Sequence, residues 1–412
     1  MFYPRNIKPY LFEAAKDTPV LLLNGARQTG KSTLLKDLQQ DFKDTFQLIA
    51  LDDLTVLNSV RSSPQSYLAG LNARHIIIDE IQYAPELFLP IKEIVDRKRL
   101  PGKFFLTGSA NVMTLPKLAD TLAGRMEIIT LWPLSQGELH SYKEDFINLL
   151  FSTETLPTPK SVPAPKLIEI LLAGGYPEVQ GKSLERSNAW FKAYISSVLQ
   201  RELRELSDIE GLDTLPGLLT LLASRAGGLL NTSDLSRSLN IPNATLIRYL
   251  RLLEAVYLTM RLPPWYKNIG KRLVKAPRIY LNDTGLLCQL LGFDAQYLAL
   301  NRQPLGPILE NFVIMELMKQ STWSKASVRL YHYRTHTGQE VDIILEKGIN
   351  IVGIEVKAAS TITQEDFKGL RHLSDELGKN FHRGIVLYTG NQTAAFGKNL
   401  WAVPISALWQ AG

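Results

Sequence analysis

Between Val20 and Leu35 the chain reads Val-Leu-Leu-Leu-Asn-Gly-Ala-Arg-Gln-Thr-Gly-Lys-Ser-Thr-Leu-Leu, and few folds accommodate that order. Four apolar residues, Val20 to Leu23, predict a buried strand. Gly25 to Ser32 then spell glycine, four residues, Gly-Lys-Ser, and Leu34, Leu35 and Leu38 follow at helical spacing. Strand, glycine-rich turn and helix form the context of a phosphate-binding loop. Glycines at 25 and 30 let the backbone turn tightly and bring its N–H groups toward phosphate oxygens. The start of the helix adds a partial positive charge. The expected ATP contacts are therefore Gly25, Ala26, Arg27, Gln28, Thr29, Gly30, Lys31, Ser32 and Thr33. Lys31 would reach the β and γ phosphates, and the Ser32 hydroxyl would ligate Mg²⁺. The plain alternative is a glycine turn in an ordinary α/β unit.

A length of 412 residues predicts two or three domains, and a hydrophobic fraction of 45% is ample for packed cores. The net charge of +6 is compatible with nucleic acid but equally with simple solubility. One cysteine, Cys288, excludes an intrachain disulfide and a cysteine zinc cluster, and the six histidines show no metal-ligand spacing. The first residues carry no signal-peptide pattern, and no run approaches the ~18 apolar residues of a membrane span. A cytoplasmic protein without a membrane partner is expected.

Residues 46–52 predict a second buried strand ending at Asp52 and Asp53, which either face a nucleotide or cap the next turn. Residues 74–80, Arg-His-Ile-Ile-Ile-Asp-Glu, predict a central parallel strand that ends in two carboxylates. Asp79 would hold Mg²⁺ and Glu80 would polarise the attacking water; the alternative is a strand ending in solvated acids. Residues 103–109 predict the next strand, after which Ser109 or Asn111 would contact the γ-phosphate or orient the water. Arg125 follows a glycine and either stabilises transition-state charge or pairs with a local acid. Strands alternating with helices predict a parallel α/β sandwich.

The segments Gly-Ala-Arg-Gln-Thr-Gly-Lys-Ser, Leu-Asp-Asp, Ile-Ile-Asp-Glu-Ile-Gln, Leu-Thr-Gly-Ser and Leu-Ala-Gly-Arg together resemble the AAA+-type P-loop ATPases of bacteria and archaea that carry a C-terminal domain of unknown function, DUF4143. The resemblance continues through Gly174-Gly-Tyr-Pro-Glu178, Lys275-Ala-Pro-Arg-Ile-Tyr-Leu-Asn-Asp-Thr-Gly285, Glu340-Val-Asp342 and Ile354-Glu-Val-Lys357, and so covers nearly the whole chain. It implies an ATPase core, a small helical lid and relatives that often form rings, hence a possible homo-oligomer.

Four prolines in residues 152–166 predict a linker or exposed loop. Residues 167–206 read as helices and resemble the lid; Arg201, Glu202, Arg204 and Glu205 suggest a solvated charged face, with an inter-domain sensor as the alternative role of Arg201. Residues 215–262 read as helix, turn, helix, with Arg248 and Arg251 on the second helix. The following stretch, 265–278, holds five basic residues and no acid. A winged helix with a basic wing is expected, with DNA phosphates meeting Arg248, Lys267, Lys271, Arg272, Lys275 and Arg278. The alternative is a winged helix for protein contacts with a merely solvated basic run.

In the last part, strands are expected at 327–334, 340–345 and 351–357, after a helix at 304–320. Alternation on 351–357 turns Glu355 and Lys357 away from Val352, Ile354 and Val356. This resembles the Asp…Glu-x-Lys core of restriction-endonuclease-like nucleases. The resemblance implies Mg²⁺ at Asp342 and Glu355, a catalytic Lys357 beside it, and Glu310 as a further acidic position. Val341 stands where that pattern has proline. A plain amphipathic hairpin with its polar residues in water is the alternative.

The fold class expected is α/β: a parallel-sheet P-loop ATPase core over 1–140, linker and helical lid over 141–214, a winged-helix-like module over 215–285 and a nuclease-like α/β domain over 286–412. The function expected is an ATPase acting on DNA. The rivals are a nucleotide-gated switch that cuts nothing and a protein-interacting ATPase.

Overall fold

The computed structural model describes residues 2–109, 122–203, 212–268, 270, 272 and 275–411. Its contacts divide the chain into two compact units, Arg5–Pro133 with Leu252–Leu258, and Met1–Pro4 with Leu134–Arg251 and Thr259–Gly412.

The first unit is built on five parallel strands, β1 (Val20–Asn24), β2 (Phe46–Ala50), β3 (His75–Asp79), β4 (Phe104–Gly108) and β5 (Met126–Thr130), in the order β2-β3-β4-β1-β5. Every residue of β1 is buried, because helices cover both faces of a parallel sheet. One face packs Leu22, Ile76, Ile78, Phe104 and Leu106 against Leu57, Phe88 and Ile91. Parallel pairing places all the strand C-termini at one edge, with Asn24 level with Gly108 and Thr130. Residues following β1, β3 and β4 therefore meet there, the edge at which open α/β sheets bind ligands. The expected buried strand at 46–52 is an edge strand instead, with Gln47 and Leu48 exposed. Asp53 caps the helix Leu54–Ser62, accepting from the N–H groups of Thr55 (2.7 Å) and Val56 (3.3 Å), which decides between its two expected roles.

In the second unit, helix Leu215–Ala223 is followed by Leu229, which bridges antiparallel to Arg278, then by helices Thr232–Leu239 and Asn243–Ala255. Asn231 caps the first of these pair members through the Asp234 N–H (3.1 Å), and Asn240 ends it in the left-handed region at φ 52°. Strands β6 (Thr259–Leu262) and β7 (Arg278–Leu281) then pair antiparallel. Among the described residues between them, Pro264 bridges to His332 and the Trp265 N–H bonds the His332 carbonyl at 2.6 Å, which ties the start of this connection to β8.

The final sheet runs β12-β13-β11-β10-β9-β8, from β8 (Arg329–Arg334), β9 (Glu340–Lys347), β10 (Asn350–Lys357), β11 (Phe381–Tyr388), β12 (Ala394–Gly397) and β13 (Leu400–Pro404). β10 pairs antiparallel with β9 and parallel with β11. It lies inside the sheet, buried from Ile351 to Glu355, so the amphipathic hairpin with water-facing acids is ruled out. Helix Leu305–Ser321 buries most of its circumference, consistent with its continuous apolar run.

The proline-rich stretch is bound along this unit by its own carbonyls. Arg383 Nη2 donates to the carbonyls of Ser152 and Glu154 (3.1 Å each), Thr393 Oγ1 to Pro157 (2.7 Å) and Ser406 Oγ to Lys160 (2.8 Å).

Candidate functional site

Gly25 leaves β1 at φ 143°, and a Cβ on it would stand 2.2 Å from the Leu131 carbonyl oxygen, so the close approach of loop and neighbouring chain demands glycine. Gly30, at φ 94°, is the N-cap of helix Lys31–Gln39. Between them Thr29 Oγ1 donates to the Ala26 carbonyl (2.9 Å). Lys31 is buried, and its ammonium lies 2.9 Å from the carbonyls of both Gly25 and Ala26, folded back over the loop. Ala26, Arg27, Gln28 and Thr33 complete the turn and the first helical residues, with Gln28 and Thr33 exposed.

Asp79, the last residue of β3, receives the Ser32 hydroxyl at 2.8 and 2.9 Å on its two oxygens, and a further hydrogen bond from Thr107 of β4. Thr107 Oγ1 also accepts the Glu80 N–H (3.0 Å), and Glu80 stands in the left-handed region at φ 57°. Gln82 Nε2 donates to Glu80 Oε2 (2.6 Å) and to Ser109 Oγ (3.1 Å), linking the water-activating candidate to the strand end beside it. Three strand ends thus converge on one place. A hydroxyl and a carboxylate side by side, with a buried ammonium folded over the adjoining loop, are the donor set that suits a divalent ion carrying a polyphosphate.

Sequence reasoning missed Arg5. Its buried guanidinium donates to the carbonyls of Thr29 (2.8 Å) and Trp132 (2.7 Å), pinning the loop to the segment after β5. Nothing in the pattern around Met1–Arg5 signals this, because both acceptors are backbone atoms.

Arg125 is corrected. It precedes β5, where its carbonyl accepts the N–H of Val20 at the start of β1 (3.2 Å), so it lies at the sheet edge opposite the phosphate loop. Its side chain pairs with Asp96, Nε–Oδ1 2.5 Å and Nη2–Oδ2 3.0 Å, and does not serve the nucleotide edge of its own chain. Asn111 lies outside the described residues, as do Arg204 and Glu205. Arg201 is exposed, but Glu202 is buried, so the expected solvated face is not continuous.

The acidic positions of the last domain do converge. Glu310 comes from helix Leu305–Ser321, Asp342 from β9, and Glu355 and Lys357 from β10. Lys357 Nζ lies 3.1 Å from Glu355 Oε2, and the Val356 N–H donates to Asp342 Oδ2 (3.0 Å). Burial and the Asp342 charge push the Glu355 carboxyl well above the usual range, and the same two causes push Glu310 up to about 7. The cation among them is Arg278. Its Nη1 lies 2.7 Å from Glu310 Oε1 and 3.2 Å from Asp342 Oδ1, and its Nη2 3.0 Å from Glu340 Oε2. Tyr280 donates to Glu310 as well (2.6 Å). Both Asp342 oxygens are thereby engaged, and a divalent ion ~2.1 Å from them would sit against the guanidinium. The residues as arranged do not fit the metal that the nuclease resemblance implies. Among the described residues no group of three or more His, Cys, Asp or Glu forms a metal-holding cluster.

Arg278 is therefore corrected as a DNA contact, since it is buried and matched to carboxylates. Arg272 is corrected likewise: it meets Glu346 with both terminal nitrogens at 2.8 Å, between the rings of Trp265 and Tyr331. A planar guanidinium fork suits carboxylates in this way, and local charge counting overlooks such partners. Arg248, Lys267 and Lys275 are exposed, and Lys271 lies outside the described residues.

Comparison with known proteins places an AAA domain at residues 17–140 and domains of unknown function at 164–297 (DUF8612) and 305–408 (DUF4143). An uncharacterized protein of Mycobacterium tuberculosis is 32% identical over 411 residues, spanning 99% of this chain and 85% of that protein. An uncharacterized protein of Haemophilus influenzae is 24% identical over 396 residues, 88% of this chain and 89% of its own. Among solved structures, a Walker-type ATPase of Pyrococcus abyssi aligns over 70% of this chain and 96% of its own, at 19% identity and a TM-score of 0.46.

Proposed function

We propose, because the chain belongs to the family of AAA-domain proteins that end in the DUF4143 domain, that it binds ATP with Mg²⁺ at the C-terminal edge of its parallel sheet and hydrolyses it. The observation that carries this is the Ser32 hydroxyl seated on both oxygens of Asp79, with the buried ammonium of the preceding residue, Lys31, folded over the loop onto the Gly25 and Ala26 carbonyls. Ser32 and Asp79 would hold the magnesium ion, which when bound neutralises phosphate charge. Lys31 exchanges the carbonyls of Gly25 and Ala26 for phosphate oxygens, and the loop from Ala26 to Thr33 wraps them with backbone N–H groups. Glu80 accepts the proton of the attacking water once its carboxylate is free of Gln82, and Ser109, the other acceptor of Gln82, contacts the γ-phosphate in this reading. Arg125, paired with Asp96 at the opposite edge, does not play the part of an arginine finger on its own chain, and a second copy of the chain is the donor this reading names.

The second unit contributes contact with DNA through Arg248 on helix Asn243–Ala255 and the exposed Lys267 and Lys275, a smaller footprint than the sequence suggested. The arrangement around Arg278 favours the reading in which nucleotide state governs binding and the chain cuts nothing. Lys31→Ala tests the core of the proposal: ATP turnover, measured as phosphate release with Mg²⁺, should fall to background while the fold stays intact. Unchanged turnover overturns the assignment of the phosphate loop.

Among the described residues no helix is long and apolar enough to cross a membrane.

A further inference from the structure

The carboxylates of the C-terminal domain surround a cation that the chain itself supplies. Arg278 begins β7, so its position is set by pairing with β6 and by the antiparallel bridge from Leu229. Its side chain is 6% exposed, and those of Glu310, Asp342 and Glu355 are 16%, 13% and 7% exposed. A third segment closes over them: the Gly227 N–H bonds the Ile279 carbonyl (2.8 Å), and a Cβ on Gly227 would stand 3.2 Å from the Glu310 carboxylate. The cluster is thus sealed by backbone on one side and by β7 on another, with Glu340 at its rim.

Charge balance points the same way. Three sheltered carboxylates face two cations, Arg278 and Lys357, and further hydrogen bonds come from the Tyr280 hydroxyl to Glu310 and from the Val356 N–H to Asp342. A buried acid cluster of this kind is costly unless each charge is paired and hydrogen-bonded, and the guanidinium fork reaches two of the three carboxylates through one nitrogen.

We infer that this acidic site takes a guanidinium, that of Arg278, in the place where a divalent ion would be expected, and that the C-terminal domain acts as a latch for the β6–β7 hairpin. The domain then holds the paired strands β6 and β7 as one piece with its own sheet and performs no metal-dependent cleavage. The inference does not depend on ATP hydrolysis and is tested without nucleotide.

The experiment uses the full chain. Mn²⁺ binding, followed by electron paramagnetic resonance at millimolar metal, is compared for the wild type and Asp342→Asn; no bound Mn²⁺ that the substitution removes is expected. In parallel, Arg278→Met should lower the melting temperature by roughly 10 °C, because it leaves buried carboxylates without their counter-ion. Adding Glu310→Gln to Arg278→Met should restore much of that loss, which a purely steric role for Arg278 would not allow. Wild-type Mn²⁺ binding that Asp342→Asn abolishes overturns the inference, as does an Arg278→Met protein that melts with the wild type. If Arg278→Met fails to fold, the metal comparison on the other two proteins still decides.

Discussion

Replacing Arg5 with methionine should weaken ATP binding without dissolving the fold. Arg5 donates one hydrogen bond to Thr29, inside the phosphate loop, and one to Trp132, outside it. Hydrogen bonds from a charged group contribute about 1.5–3 kcal/mol each, net of exchange with water, so the clamp represents about 3–6 kcal/mol. If half of this reaches the bound state as lost preorganisation, affinity falls by about 1.5–3 kcal/mol, roughly 10- to 150-fold in Kd. Methionine keeps much of the aliphatic volume, so packing of the side-chain stem is largely spared. Calorimetric titration of Mg²⁺·ATP into wild type, Arg5→Met and Lys31→Ala measures the effect, with melting temperatures as the control for folding. A Kd within twofold of wild type, alongside a lowered melting temperature, would refute the argument and leave Arg5 as a fold staple only.

Stability should decline as pH rises from about 6.5 to about 8.5. Burial and the Glu316 charge push Glu144 up to about 8, and burial and Asp342 push Glu310 up to about 7. A carboxyl whose folded pKa is raised contributes stability that is full below its unfolded value, about 4.3, and is lost as pH rises through the folded one. His332, pushed down to about 4 by burial and Arg278, has the opposite sign, but its term is constant once pH exceeds the unfolded value of about 6.5. Melting curves across this window should slope downward, and Glu144→Gln should flatten the slope; a flat wild-type profile would contradict the assignment. For DNA, the double variant Lys267→Ala, Lys275→Ala should reduce the slope of log affinity against log salt by about 2, read by fluorescence anisotropy; an unchanged slope removes both lysines from the interface.

How legible all this was in the sequence depends on the range of each interaction. The phosphate loop was readable because strand, turn and helix are contiguous, and Asp79 because an isoleucine run marks a buried strand whose end must reach the sheet edge. Phe46–Ala50 misled because an apolar run does not reveal whether its strand lies inside the sheet or at its border. Charges misled most. Arg278 pairs with residues 32 and 64 positions away, and Arg272 with one 74 away, so each looks solvated when only its neighbours in sequence are read. Strand alternation and the nuclease resemblance brought Asp342, Glu355 and Lys357 together, and the resemblance alone added Glu310, yet neither could show that the space between them was already filled. Arg5 grips backbone oxygens, which every residue type carries, and leaves no trace in composition.

The proline-rich stretch from Ser152 to Lys160 is anchored through peptide oxygens, while the donors come from Arg383, Thr393 and Ser406. Such a tether depends less on which side chains it bears, the buried Leu156 and the hydrogen-bonded Ser152 apart, than on how many residues lie between its anchor points. Drift in lettering should be tolerated there, whereas a single inserted or deleted residue would throw every anchor out of step.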